Sequence, residues 1–473
     1  MRNGTLNRRG FLTAASAAIA ATAASGGNAV AAAKTNTVAS AARREYLIRG
    51  AAVVSMDASV GDFAKGDIHV RAGAIVAVGP HINAPKAIVI DGANMIALPG
   101  LIDTHWHMWE CAARNLAGDD EKTGYFPHSR TIGVLFKPED NARGVRLGLA
   151  EAIHSGITTV HNWSHNNLSP EYAAAEVAVH HEAGGRALYS YGYSRKTGTN
   201  VMLPLDDIRA FHAKYFSTPG DGLVTFGIAT RGPNSNPIEI CAQEMAFARE
   251  LKIPLTTHVG IVPGKDSFVE MMAKANLLGP DVLLIHATNG TDAERQILGE
   301  TKTPVSCSPF TEMRTGFGVT PIRAFMAAKV PFGLSIDTTV LCGNADMFAI
   351  MKVMQNLDDG TAPSEFAITA RRVLEMATID GARVLGIADR VGSLTPGKRA
   401  DIILVRTDAI NMAPMADPTR MIVQAAQPAN VDTVLVDGRI LKRAGKLTTL
   451  DEAKVMREAA ESMARVGAQI AKT

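Results

Sequence analysis

The chain has 473 residues, with 48 Lys and Arg against 46 Asp and Glu for a net charge of +2, and is 47% hydrophobic and 20% charged. That composition supplies a large core and excludes wholesale disorder, and with no basic stripe interleaved with aromatics it lacks the footprint of a nucleic-acid binder. The length admits one to three domains, including a single barrel with an accessory domain, and leaves a small molecule as the default partner.

Arg2, Arg8 and Arg9 precede an apolar, Ala-rich stretch from Phe11 to about Ala24, followed by Gly26-Gly27 and the run Ala29-Val30-Ala31. This is the layout of an export signal, and NRRGFLTAA resembles a twin-arginine signal. The resemblance implies export of a folded protein by that machinery, loss of residues 1–33, and a periplasmic or secreted product. The apolar run is too short and too weakly hydrophobic to be a stable membrane anchor. Residues 34–97 read as short alternating strands, among them YLIRGAAVVSMD, DIHVRAGAIVAVG and AIVIDGANMIALPG, with no helical periodicity.

From 98 to 389 the pattern changes to short apolar runs alternating with longer helical stretches such as NARGVRLGLAEAIHSG and PIEICAQEMAFARELK. Eight candidate strands follow in order: ALPGLID, ITTVHNW, RALYSYG, LVTFGIA, IPLTTHV, VLLIHAT, TPVSCS and VPFGLSID. Eight strand-then-helix repeats predict an α/β fold, a closed (β/α)8 barrel. Residues 390–450 return to short strands, so the two flanks are expected to pair into one small β domain built from both chain ends. Residues 451–473 have helical spacing and predict a C-terminal helix. The four cysteines, Cys111, Cys241, Cys307 and Cys342, form no CxxC pair, and a chain of this size needs no disulfide framework.

The chemistry concentrates at strand ends. His105 and His107 in LPGLIDTHWH are two apart, so both imidazoles share a face while Trp106 takes the other. An HxH pair alone is a weak signal. His258 closes IPLTTHV, His286 closes VLLIHAT and Asp337 closes VPFGLSID, and on a barrel the C-terminal strand ends surround one pocket. Buried together, four imidazoles and a carboxylate are best satisfied by a metal ion.

These motifs resemble the amidohydrolase superfamily, in the group related to triazine hydrolases, cytosine deaminase and adenosine-type deaminases. PGLIDTHWH is similar to the family's first-strand motif, RNLAGD to the RGLADD that often follows it, and GSLTPGKRADIILV with VDTVLVDGRI to its C-terminal signature. The resemblance covers about Tyr46 to Leu447 and implies a distorted barrel with a composite β-sandwich. It makes His105, His107, His258 and Asp337 the metal ligands, with His286 ligating or hydrogen-bonding water and substrate. Relatives with two metals carry a carboxylated Lys at the end of the fourth strand. Here that stretch is LVTFGIATRGPNS, without Lys, which implies one divalent ion, Zn or Fe. The resemblance also leaves a homo-oligomer open, since relatives often associate.

In this scheme a metal-activated water attacks, Asp337 relays its proton to the leaving nitrogen, and His286 polarises the group under attack. Deaminases of the group usually carry Glu three residues after the fifth-strand His, to protonate a ring nitrogen; here that position is Ile261. The expectation is therefore a hydrolase of amide, carbamate, urea or lactam bonds, ahead of a deaminase of aminoheterocycles. A barrel that has lost catalysis and only binds is opposed by the intact five-residue set. Glu312 in SPFTEMRTGFG is the candidate to replace the missing acid, and His161, His165, Arg231, Trp109 and Tyr125 join it as expected substrate contacts.

Overall fold

The computed structural model describes residues 45–472 apart from 195, 218–221 and 363. The export signal expected at 1–33 lies outside the described residues. The N-terminal flank forms β1 (Tyr46–Val53), β2 (Phe63–Arg71), β3 (Ala74–Gly79), β4 (Ile88–Asp91) and β5 (Met95–Pro99). The chain then enters a second, parallel sheet of β6 (Leu101–Trp106), β7 (Ile157–Ser164), β8 (Arg186–Gly192), β9 (Val224–Thr230), β10 (Leu255–Val259), β11 (Val282–His286), β12 (Val305–Cys307) and β13 (Phe332–Leu334).

These eight strands neighbour one another in sequence order. Helices alternate with them, for example Pro138–His154 after β6, Ile238–Leu251 after β9 and Met347–Thr361 after β13. Local chemistry starts several of them. Pro138 and Pro170 occupy first helical turns, where a missing N–H costs nothing. Thr291 and Glu294 form a reciprocal capping box at the head of Asp292–Thr301. The barrel closes beyond β13, where Asp337 donates its backbone N–H to His105 O (2.8 Å) and His107 donates to Asp337 O (2.6 Å). The fold is thus the expected (β/α)8 barrel.

One expected strand is two. ALPGLID divides at Gly100, with β5 leaving one sheet and β6 starting the other. A Cβ at Gly100 would stand 2.1 Å from Thr158 Oγ1, so the crossing is possible only for glycine.

After the barrel come β14 (Ile402–Arg406), β15 (Val431–Val436), β16 (Arg439–Arg443) and β17 (Lys446–Leu447). β14 pairs antiparallel with β5, so both chain ends share one nine-stranded sheet in the order β17-β16-β15-β14-β5-β1-β2-β3, with β4 on β1. That sheet packs its own apolar interior of Ile48, Val53, Ile68, Val70, Ile402, Leu404 and Leu435, separate from the large barrel core. It is tied to the barrel by Arg186 on β8, which meets both carboxylate oxygens of Asp401 at 2.8 and 3.0 Å, and by Lys442, which donates to His154 O at 2.7 Å. The C-terminal helix Glu452–Ile470, capped by Asp451, lies on Pro138–His154, where Arg143 donates to Ser462 Oγ and Arg146 pairs with Glu458. All four cysteines are free thiols. No helix among the described residues is long and apolar enough to cross a membrane.

Candidate metal centre

His105 lies on β6 and His107 directly follows it, so the pleat sends both rings to the barrel interior while Trp106 is buried in the surrounding core. The backbone bonds that close the barrel run through these two residues and Asp337, and Asp103 reinforces the seam by accepting from Ile336 N–H at 2.7 Å. His258 comes from β10 and His286 ends β11. His286 and Asp337 both have positive φ, 72° and 61°. Left-handed backbone at a non-glycine costs about 1–3 kcal/mol, and such strain gathers at functional sites.

The five side chains converge. Asp337 Oδ1 lies 3.1 Å from His105 Nε2 and 3.4 Å from His107 Nε2, and Oδ2 lies 3.9 Å from His286 Nε2. Ligand atoms of His105, His258 and His286 fall within 4.8 Å of one another, as do those of His105, His107 and Asp337. Burial, reinforced by neighbouring imidazoles, holds His105 and His258 well below the ordinary histidine range, so both are neutral donors. Burial pushes the Asp337 carboxyl up to about 7, against the pull of His286. His107 is oriented by a 3.2 Å contact from Nδ1 to Trp163 O, leaving Nε2 toward the cluster. His105 Nδ1 is buried without a hydrogen-bond partner. Imidazoles packed around one buried carboxylate, with polar atoms still unsatisfied, fit a divalent cation and would be costly without one.

A cavity of about 170 Å³ opens on this cluster, bounded by His107, His258, His286 and Asp337 below and by Tyr125, Phe126, Tyr193, Arg231, Ile261 and Phe317 above. Of the expected substrate contacts, Tyr125, His165 and Arg231 line it, Arg231 with its guanidinium 4.0 Å above the Tyr193 ring. The other three lie elsewhere. His161 is beneath the cluster, bonded through Nδ1 to Thr104 O and through Nε2 to Ser190 Oγ, both at 2.8 Å, and burial pulls it down to about 4. Trp109 packs edge-on to Phe136 and donates its indole N–H to His165 Nδ1 at 3.1 Å; it is His165 that reaches the cavity. Glu312 is fully buried behind His286, neither solvated nor paired with Arg314, and its oxygens are taken by Ser308 N–H, His286 Nδ1 and the Thr320 hydroxyl.

Sequence reasoning passed over Trp163, whose ring is 4.5 Å from that of His258 and 5.1 Å from that of His107. The signal was available in ITTVHNWSH, because His161 and Trp163 alternate along β7 and so share its inward face, and His165 directly follows in the same alternation. Tyr193 directly follows β8 in the same way, whereas Phe317 carried no such signal, since it stands in the loop after the short helix Pro309–Arg314.

A barrel that gathers imidazoles and a carboxylate at the C-terminal ends of its strands is the scaffold of a metal-dependent hydrolase. The sequence matches the amidohydrolase family over residues 96–441, and the chain belongs to that family as a metal-dependent hydrolase of carbon–nitrogen bonds. It is 28% identical over 436 residues to 5-methylthioadenosine/S-adenosylhomocysteine deaminase of Pelotomaculum thermopropionicum, covering 89% of this chain and 98% of the relative. Its fold is similar to that of a zinc-bound adenosine deaminase from Xanthomonas campestris, with TM-score 0.82, 22% identity, and 90% and 99% of the two chains covered. It is also similar to that of atrazine chlorohydrolase from Arthrobacter aurescens TC1 complexed with zinc, with TM-score 0.78, 22% identity, and 89% and 100% covered.

Proposed function

We propose that the chain hydrolyses a carbon–nitrogen bond at a carbonyl carbon of a small molecule, an amide, carbamate, urea or lactam. One divalent cation, Zn or Fe, would be held by His105, His107, His258 and Asp337. The observation that carries this reading is the cavity wall: Ile261 lines it three residues after His258, and Asp337 is the one carboxylate among its described lining residues. Glu312, the residue that could have supplied a second acid, faces away with both oxygens engaged. Deamination of a heterocycle needs an acid to protonate a ring nitrogen, whereas a carbonyl carbon needs only its oxygen polarised.

When bound, the cation would supply a Lewis acid and lower the pKa of a coordinated water toward about 7. Asp337, between His105, His107 and His286, is placed to accept a proton from the attacking water and deliver it to the departing nitrogen. His286, whose Nε2 faces Asp337 and the cavity, is placed to join the metal ligands or to accept from the attacking water and orient it. Water adds to carbon, the carbon–nitrogen bond breaks, and the products are an acid and an amine. Phe126 and Phe317, with ring centroids 6.3 Å apart, offer the cavity an apolar wall for the rest of the substrate. The absence of Lys at the end of β9, where Thr230 and Arg231 line the cavity, favours a single cation.

A second reading, deamination of an adenosine-type compound, is favoured by the names of the relatives and opposed by Ile261. Mass spectrometry of a pool of N-acyl, carbamate, urea, lactam and aminoheterocycle compounds incubated with zinc-loaded protein separates the two. Gain of one water, or cleavage into amine and acid, is expected. Ammonia release with a shift of about one mass unit would replace the first reading with the second. The NRRGFLTAA string supports delivery of the enzyme outside the cytoplasm by the twin-arginine route.

A further inference from the structure

The segment from Ser308 to Thr320 grips His286 from two sides. Glu312, on the short helix Pro309–Arg314, sits 3.2 Å from His286 Nδ1 through Oε1, which also accepts from Ser308 N–H at 2.8 Å. Oε2 accepts from the Thr320 hydroxyl. The same turn brings Phe317 back, its N–H donating to Glu312 O at 2.9 Å, so that its ring meets the His286 ring edge-on with centroids 5.5 Å apart. Asn289 locks that turn to the β10 loop by donating to Phe317 O at 2.7 Å and Gly260 O at 3.0 Å.

A carboxylate can only accept, so the hydrogen on His286 lies on Nδ1 and Nε2 is left to face Asp337 and the cavity. Among the described residues no other group lies within hydrogen-bond distance of a His286 ring nitrogen, Asp337 Oδ2 being 3.9 Å from Nε2, and the His286 backbone is already held at the positive φ of 72°. A fully buried carboxylate with every oxygen engaged is a costly group to keep unless its partner requires it.

We infer that Glu312 is a positioning residue that fixes the Nδ1–H tautomer and ring plane of His286, and thereby presents Nε2 to the metal centre. Ring nitrogens at metal sites are commonly set by such an outer hydrogen bond, whose loss typically costs about 10–100-fold in metal affinity or activity. The inference rests on His286 belonging to the working face of the site, not on the substrate class.

The test therefore reads tautomer and metal affinity, not turnover. Nitrogen-15 NMR of histidine-labelled, zinc-loaded full chain should show a slowly exchanging Nδ1–H on His286. Glu312→Ala should lose that signal and weaken zinc binding about 10–100-fold, whereas Glu312→Gln, whose side-chain oxygen still accepts, should keep the signal and most of the affinity. A Glu312→Ala protein with unchanged signal and zinc affinity would overturn the inference, as would a Gln variant indistinguishable from Ala. If Glu312→Ala does not fold, Thr320→Val, which releases Oε2 alone, decides the matter: faster exchange of the His286 Nδ1–H supports the inference, and an unchanged exchange rate overturns it.

Discussion

Ile261 occupies the place where a second acid would stand, and the chemistry proposed for this cavity turns on its being apolar. Restoring the acid should change the reaction and not merely its rate. General acid catalysis contributes about 10²–10⁴-fold when well placed, so Ile261→Glu should raise ammonia release from an aminopyrimidine or aminopurine by at least about tenfold while slowing the native hydrolysis. A variant that deaminates no faster than the parent, measured by coupled ammonia assay, would show that Ile261 does not decide the reaction. The candidate ligands were legible because each closes an apolar run, and barrel geometry brings such ends together without reference to loops. Glu312, Trp109 and His161 were misplaced for the opposite reason. Each is polar and near a strand end, but whether it faces the cavity depends on a hydrogen-bond partner, His286, His165 or Ser190, that lies far away in sequence.

At the level of elements, β7 is braced by two helices through a buried polar network. Glu176 on Pro170–Ala183 accepts from Asn141 on Pro138–His154 at 2.7 Å and from Asn162 on β7 at 3.0 Å. Burial pushes its carboxyl from the ordinary 4.5 up to about 7, although both amides favour the charged form. A carboxyl with a raised native pKa holds its proton more tightly folded than unfolded. The stability it contributes is therefore full below about 4.5 and is lost as pH rises through about 7. Relative to Glu176→Gln, which cannot titrate, the parent should lose melting temperature between pH 5 and pH 8, and a pH-independent difference would contradict this. All eight barrel strands were readable from apolar runs, since strands buried on both faces need unbroken apolar sequence. Their limits were less so: Gly100 splits the first run between two sheets, and β13 stops at Leu334, leaving Ser335 to Asp337 to turn back toward β6.

Across the whole molecule, the barrel seam and the metal centre are one construction. The residues that join the ends of β6 and the eighth strand, His105, His107 and Asp337, are also candidate ligands, so closing the barrel assembles three of the four. The nine-stranded sheet was legible only as two similar flanks, because the pairing of β5 with β14 spans some three hundred residues and leaves no local mark. The account stands on a single cation held by this seam and by His258. Metal content per folded chain, measured by elemental analysis after equilibration with limiting zinc, tests that most directly. The account predicts one zinc per parent chain and far less than one in a folded His258→Ala variant. Two per chain, or full occupancy in the variant, would contradict it.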